Sequence, residues 1–183
     1  MTKTSGHRLS FIGLFAALTA IGAFISFPLP FTPVPFTLQV TFTTMAGFAL
    51  GSKYGALSQL VYLLLGAIGL PVFANRLGGI GALFGHTAGF LWGFVLSAML
   101  IGWLATKYRP RKALPIVIVL TAGLLLVYAT GTVGLMVVLG LPAKQAFMAG
   151  VAPFMILDLL KIGLAAFLIM KLEPLGLLPP EKP

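Results

Sequence analysis

The stretch that decides the fold reads FMILDLLKIG and occupies residues 154–163. It lies within an apolar run, residues 146–170, which is long enough to cross a bilayer as a helix at about 1.5 Å per residue. Asp158 and Lys161 are three positions apart in this run, so they share one helix face. Placing either charge at membrane depth costs about 2.5 to 3.5 kcal/mol. We therefore expect either a self-neutralising pair that packs the helix inward or a polar binding site within the membrane.

The composition around this stretch indicates an integral membrane protein. Of the 183 residues, 59% are hydrophobic and 8% are charged, whereas about 25% of the residues in soluble domains are charged. The chain has three acids (Asp158, Glu173 and Glu181) and no cysteine, which excludes disulfides and thiolate metal sites. Its net charge of +9 could suit nucleic acid, but the basic residues lie in short connections between apolar runs. That placement is typical of membrane proteins, so we expect a lipid bilayer and no nucleic acid as partner.

Six apolar segments predict an all-α protein with six transmembrane helices in a single domain, residues 1–183. The first segment is as long as a full span and lacks a small-residue cleavage site, so we interpret it as a retained helix and not a signal peptide. Four prolines within residues 28–35 end this helix, because proline cannot continue one. The segments cover about residues 9–27, 36–50, 54–73, 81–105, 114–139 and 146–170.

The distribution of Lys and Arg predicts the orientation of these helices. With a cytoplasmic N-terminus, nine of the twelve basic residues lie inside, two lie outside and Lys161 lies within a helix. Because cytoplasmic connections carry the excess of Lys and Arg, both termini are expected in the cytoplasm. The segments 28–35, 71–80 and 140–144 are then on the outer face. The two outer cations are Arg76 and Lys144, and the inner ones are Lys3, Arg8, Lys53, Lys107, Arg109, Arg111, Lys112, Lys171 and Lys182.

Rows of small residues predict where helices approach closely, because glycine or alanine at every fourth position lets helix backbones pack in lipid. Ala16 and Ala20 form such a ridge on the first helix, which could equally pack within the chain or face another subunit. On the fourth predicted helix a longer row is expected to pack within the chain. Its members are Gly81, Gly85, Gly89, Gly93 and Ser97.

No catalytic motif is present in the sequence. Residues 47–53 read GFALGSK, which does not have the spacing of a phosphate-binding loop, so the chain is not expected to hydrolyse ATP. His7 and His86 have no carboxylate or second histidine at ligand spacing, and no hydrolase signature occurs. We therefore expect no enzyme activity, no metal site and no cofactor in this chain.

Polar groups scattered through the apolar segments could instead converge on a ligand site. Mostly apolar walls with a few placed polar groups are typical of small-molecule pockets. The candidate polar groups are Gln39, Asn75, Arg76, Asp158 and Lys161. The candidate walls are Phe31, Phe36, Tyr62, Phe73, Phe90 and Trp92.

Several motifs together resemble those of the BioY family, the biotin-binding S components of energy-coupling factor (ECF) transporters. The resemblance covers nearly the whole chain and implies a six-helix S-component fold that captures biotin from outside. It also implies partnership with a transmembrane T component and two cytoplasmic ATPases, which would use ATP on behalf of this chain. The motifs are PLP at 28–30, PVPFTLQ at 33–39, GAIGLPVF at 66–73, the glycine-rich stretch 78–89 and DLLK at 158–161.

The resemblance also implies roles for the candidate residues. Asp158, Lys161 and Asn75 are the implied biotin contacts, with the Asp158 carboxylate suited to the ureido N–H groups and the Lys161 ammonium suited to the ureido carbonyl. Gln39 could donate or accept a hydrogen bond, and Arg76 could attract the biotin carboxylate. Tyr62 is included among the substrate-binding residues.

In the BioY family a ridge of alanines on the first helix contacts the T component, which here implies Ala16 and Ala20. The implied location is the bacterial cytoplasmic membrane.

Two alternatives remain open at this point. One is an S component for another vitamin, such as thiamine or riboflavin. The other is a solitary channel or proton-coupled carrier in which Asp158 titrates, against which the neighbouring Lys161 argues.

Overall fold

Within residues 3–172 the chain is mostly helical. The computed structural model describes the backbone of these residues and the side chains of residues 8–172. Two acids and one of the predicted inner cations, Glu173, Glu181 and Lys182, lie outside the described residues, as does the side chain of Lys3. The six α-helices of the described range are α1 (Lys3–Phe24), α2 (Gln39–Ala67), α3 (Ala88–Tyr108), α4 (Ala113–Leu139), α5 (Ala143–Gly150) and α6 (Met155–Leu172).

Helix α2 is a hairpin of two antiparallel limbs, residues 39–50 and 52–67, that reverses at Gly51. The φ of Gly51 is 75° and its ψ is 177°, a conformation open mainly to glycine. Two hydrogen bonds join the limbs: the Gln39 Nε2 donates to the Tyr62 hydroxyl at 2.7 Å, and the Thr43 hydroxyl donates to Gln59 Oε1 at 3.1 Å. The second and third predicted segments are therefore separate limbs, although the second limb ends at Ala67 and not at Phe73.

Glycines allow the hairpin limbs and α3 to pack with their backbones in contact. A Cβ on Gly55 would lie 2.8 Å from the Cα of Gly47, and a Cβ on Gly47 would lie 2.6 Å from the carbonyl oxygen of Ala98 on α3. A Cβ on Gly102 would overlap the backbone of the turn at Gly51. Real side chains do not fit at these distances, so the packing of α2 on α3 depends on the missing Cβ atoms.

A buried polar cluster joins α1 to both limbs of α2. The Gln59 side chain is fully buried, donates to the Thr19 hydroxyl at 3.3 Å and to the Ser58 hydroxyl at 3.2 Å, and accepts from Thr43. Thr19 in turn donates to the carbonyl of Phe15 at 2.8 Å. Because buried polar groups are costly unless paired, these bonds set the position of α1 against α2.

The alanine ridge of α1 faces the interior of the chain. Ala16 is fully buried and Ala20 is 7% exposed, and both belong to the hydrophobic core. The polar cluster turns this face of α1 toward α2, which favours packing within the chain, and a role of the ridge at a subunit contact stays a prediction. Within residues 8–24, the exposed glycine and alanine of α1 are Gly13, which has no atom of another element within 4 Å of its Cβ position, and Ala17.

The predicted fourth helix begins later than expected. Residues Ile80–Phe84 form a 3-10 turn, Gly85 is extended, and α3 begins only at Ala88. Gly81 and Gly85 are therefore not on the helix, and the prediction of an unbroken row of small residues is wrong at these two positions. The remaining part of the row packs as expected, since a Cβ on Gly89 or Gly93 would overlap Thr130 of α4.

The last apolar run is broken and not continuous. Helices α5 and α6 meet at an angle of 51° across residues 151–154. The break contains Pro153, which has no N–H to donate and clashes with the preceding turn of a helix. The opening stretch therefore begins a new helix, and Asp158 lies in the first turn of α6 instead of the middle of a long span.

A short ribbon departs from the all-α prediction and holds the proline-rich segment. Strand β1 (Ser26–Phe27) pairs antiparallel with β2 (Phe36–Thr37), with Ser26 opposite Thr37 and Phe27 opposite Phe36. Between the strands, the Thr32 hydroxyl donates to the carbonyl of Ala149 at 2.6 Å. This bond ties the proline-rich loop to α5.

By length and composition, two described helices, α3 and α4, could each cross a membrane. The bent pair of α5 and α6 would make a third span. The apolar part of α1, Arg8–Phe24, is shorter, and each limb of α2 is shorter still. The chain is thus a multi-pass membrane protein, while the count of six spans stays a prediction.

Candidate functional site

A cavity lies where the proline-rich loop, the loop after α2 and helices α3, α4 and α6 meet. Its empty space is about 770 Å³, a value that includes open solvent at the mouth. Its walls are mostly apolar. The polar and titratable side chains that line it are Thr37, Gln39, Asn75, His86, Thr87, Tyr128, Asp158 and Lys161, and its aromatic walls include Phe73, Phe90, Phe94 and Phe154.

The two charges of the opening stretch form an ion pair in the cavity wall. The Lys161 Nζ donates to Asp158 Oδ1 at 2.7 Å. Both residues are buried, at 6% and 4% exposed. Asp158 is the only acid in the described part of the chain, so Lys161 is the cation that balances it. The helix spacing read from the sequence accounts for this contact.

Tyr128 of α4 is a member of this site that sequence reasoning missed. Its hydroxyl donates to Asp158 Oδ2 at 2.7 Å, so each carboxylate oxygen has one donor. The available signal was a tyrosine in the middle of an otherwise apolar segment, since a buried hydroxyl needs a partner. No sequence pattern connects position 128 to position 158, because the contact arises only when α4 packs against α6.

The Lys161 ammonium also lies against an aromatic ring. Its Nζ is 3.8 Å from the centroid of the Phe36 ring on β2. Phe36 was predicted as a cavity wall, but it is not among the cavity-lining residues. It stands behind the ammonium, on the strand that follows the proline-rich loop.

Gln39 and Tyr62 were both predicted as ligand contacts, but only Gln39 lines the cavity. Gln39, the first residue of α2, lines the cavity and is 4% exposed. Tyr62 is fully buried behind it, outside the cavity lining, and accepts the hydrogen bond from Gln39 at 2.7 Å. The Tyr62 ring also packs edge-on against Phe73, with 5.5 Å between the ring centroids. Tyr62 can therefore act on a ligand only through these two neighbours.

Asn75 and Arg76 are consecutive residues in the loop after α2, but only Asn75 lines the cavity. Both have left-handed backbone conformations, with φ of 57° and 58°, which are rare outside glycine. Asn75 lines the cavity, and its Oδ1 accepts a hydrogen bond from the Ser26 hydroxyl at 3.1 Å. Arg76 is exposed and does not line the cavity.

Two of the predicted aromatic walls, Phe73 and Phe90, line the cavity. Phe31 is 67% exposed on the proline-rich loop, and the Trp92 indole N–H donates to the carbonyl of Leu83 at 3.2 Å, away from the lining. His86, which was not among the predicted ligand-contacting residues, lines the cavity at the turn before α3. The site thus combines one carboxylate, one ammonium, two amides, three hydroxyls and a histidine with apolar walls.

These features define a class: a multi-pass membrane protein with a cavity that can hold one small molecule bearing both hydrogen-bond donors and acceptors. The chain belongs to the BioY family, which it matches over residues 1–176. It is 43% identical over 164 residues to the biotin transporter BioY of Thermotoga maritima, covering 89% of this chain and 94% of that protein. It is 38% identical to the biotin transporter BioY of Rhodobacter capsulatus, covering 94% of this chain and 97% of that protein.

A solved structure has the same fold. It is the S-component for biotin from an ECF-type ABC transporter, with a TM-score of 0.87 and 28% identity over 95% of each chain. The proteins that this chain resembles are thus transporters and not enzymes.

Proposed function

We propose that this chain is the substrate-binding subunit of an ECF transporter and that it captures biotin from outside the cell. The observation that carries this proposal is the buried ion pair in an apolar cavity. A transport subunit that must hold a neutral, polar ring system needs paired donors and acceptors inside an apolar pocket. The match to the BioY family and the likeness to a biotin S-component support biotin as that ligand.

The hydrogen-bonding capacity of the ion pair suits the ureido ring of biotin. A carboxylate has about four acceptor positions. Lys161 and Tyr128 use one on each oxygen of Asp158, which leaves acceptor positions for the two ureido N–H groups. An ammonium has three donors, of which one is given to Asp158. Another is then available for the ureido carbonyl, while the aromatic walls take the thioether ring and the valerate chain.

The remaining polar residues have separate proposed tasks. Because the Asn75 Oδ1 already accepts from Ser26, its amide N–H₂ group is available to donate to biotin. Gln39 contributes a polar contact at the cavity wall, and Tyr62 supports Gln39 from behind. Arg76, exposed beside Asn75, attracts the biotin carboxylate toward the mouth of the cavity.

The proposed topology places the mouth of the cavity on the outer face. Six segments cross the bacterial cytoplasmic membrane, with the two limbs of α2 counted separately and both termini in the cytoplasm, as the excess of Lys and Arg in the inner connections favours. The proline-rich loop and residues 71–80 then close over biotin from outside.

Energy is proposed to come from partner subunits, namely a T component and two cytoplasmic ATPases that hydrolyse ATP. Coupling would tip or open this chain toward the cytoplasm. Because Ala16 and Ala20 are buried, we place the contact with the T component on the exposed small residues of α1, Gly13 and Ala17. An Ala17→Trp variant should lose co-purification with the T component while still binding biotin, and an intact complex would contradict this surface.

Calorimetry on the purified protein tests the ligand assignment. The unmodified protein should bind biotin and should not bind thiamine or riboflavin, which other vitamin transporters would take. Asp158→Asn keeps the shape of the side chain but removes its charge and one acceptor oxygen, and Lys161→Ala removes the ammonium. Both should weaken biotin binding strongly, and unchanged affinity in both variants would refute the site.

A further inference from the structure

The Phe36 ring lies beside the ion pair, and the proposed ligand contacts give it no role. The Lys161 Nζ lies 3.8 Å from its centroid and 2.7 Å from Asp158 Oδ1, so the ammonium sits between an aromatic face and a carboxylate. No other hydrogen-bond acceptor of Lys161 occurs among the described residues. Phe36 does not line the cavity itself, and its nearest charged neighbour in the cavity wall is this ammonium.

Attraction between an ammonium and an aromatic face depends on how much water surrounds them. Cation–π contacts are weak at exposed sites and several-fold stronger where the cation is desolvated. Lys161 is 6% exposed in the cavity wall. A ligand that fills the cavity removes the remaining water from the ammonium, so the contact with Phe36 is worth more in the bound state than in the free state.

The ring is held in place by the ribbon and by a small core cluster that includes Val34 and Phe154. Phe36 pairs with Phe27 across the two strands, and the ring centroids are 6.3 Å apart. The preceding residues Val34 and Pro35 are buried and line the cavity, and Thr32 is bonded to the carbonyl of Ala149. The ring position therefore depends on the proline-rich loop being seated on α5.

We propose that Phe36 is a positioning residue for ligand binding, whose ring holds the Lys161 ammonium toward the cavity and so links the seating of the proline-rich loop to the ion pair. This inference rests on the proposed function, because it concerns the affinity of the same site. It adds a residue that does not line the cavity and that acts on the ligand through Lys161. It also explains why the loop that covers the cavity carries an aromatic residue behind the ion pair.

Stepwise fluorination of the ring tests this proposal with little change of shape. Phe36 is replaced through site-specific incorporation by 4-fluoro-, 3,5-difluoro- and 3,4,5-trifluoro-phenylalanine, which progressively remove the negative charge from the ring face. Biotin affinity is measured by calorimetry for each protein, and thermal unfolding in detergent checks that each is folded. The matched control is the same series at Phe15, which is buried in the core on α1 and does not line the cavity.

We expect the dissociation constant to rise steadily with fluorine number at Phe36, by up to about tenfold for the trifluoro ring, because the difference between an exposed and a fully desolvated cation–π contact sets the upper limit. The Phe15 series should stay within twofold of the unmodified protein. A flat Phe36 series, or an equal rise at Phe15, would overturn the inference while leaving biotin binding itself intact. If the unmodified protein binds no biotin, the proposed function fails and this inference fails with it.

Discussion

Removing the Tyr128 hydroxyl tests whether the partner on α4 prepares Asp158 for its ligand. In Tyr128→Phe the ring still lines the cavity, and the only atom lost is the oxygen that donates to Asp158 Oδ2 at 2.7 Å. Tyr128 is 9% exposed and Asp158 is 4% exposed, so the bond is largely screened from bulk water. The substitution thus isolates one charge-assisted hydrogen bond.

The size of the effect follows from what replaces that bond. In the empty protein, water entering the open cavity can donate to the freed oxygen of Asp158, so the free state loses little. In the bound state the ligand displaces this water, so the carboxylate has one charge-assisted hydrogen bond fewer than in the unmodified complex. Hydrogen bonds to charged groups contribute about 1.5 to 3 kcal/mol, which corresponds to a rise in the dissociation constant on the order of ten- to hundredfold.

Calorimetric titration of purified Tyr128→Phe with biotin measures this change. Tyr108→Phe is the matched control, because Tyr108 is 63% exposed at the end of α3 and does not line the cavity. Its affinity should equal that of the unmodified protein. If Tyr128→Phe binds biotin within twofold of the unmodified protein, the hydroxyl does not prepare Asp158, and the reasoning from the hydrogen-bond geometry is wrong.

Three further substitutions test the fold by thermal or chemical unfolding in detergent. Lys161→Ala should destabilise the protein by about 3 to 5 kcal/mol, because it leaves a buried charge unpaired. Adding Asp158→Leu should recover most of that loss. If stability does not recover, the loss in Lys161→Ala does not come from breaking the ion pair. Gly51→Ala should cost about 1 to 3 kcal/mol, because φ of 75° with ψ of 177° is strained for any other residue. Its control, Gly163→Ala, has open space around the Cβ position in α6 and should be neutral or stabilising; equal losses at both glycines would contradict the role of the turn. Gly93→Leu should destabilise the protein more than either of these two glycine substitutions, since the leucine side chain would overlap Thr130 of α4. An unfolding midpoint equal to that of the unmodified protein would show that α3 and α4 do not pack as described.

Residues whose partners are close in sequence were the most predictable part of the site. Asp158 and Lys161 are three residues apart on one helix, so their contact follows from helix geometry alone. Gln39 was recognisable as a polar group in an apolar segment, and it lines the cavity. The ligand roles of these residues stay predictions.

Residues whose direction depends on a neighbouring element were predicted less well. Composition could not tell that Asn75 faces the cavity while Arg76 faces solvent, because two consecutive left-handed residues turn the chain between them. Ala16 and Ala20 have the spacing of an interface ridge, but the bonds from Gln59 decide that this ridge faces α2. Residue spacing predicts which residues share a helix face, but it does not predict which element that face packs against.

By itself, the sequence determined that this is a membrane protein with a charge pair inside its last apolar run, because apolar segment length and helix periodicity are local properties of the chain. Only the tertiary structure decided that the last run breaks before Asp158 and that Tyr128 and Phe36 meet the ion pair. Those contacts join residues far apart in sequence, and they form only when α2, α4, α6 and the proline-rich loop pack around one cavity.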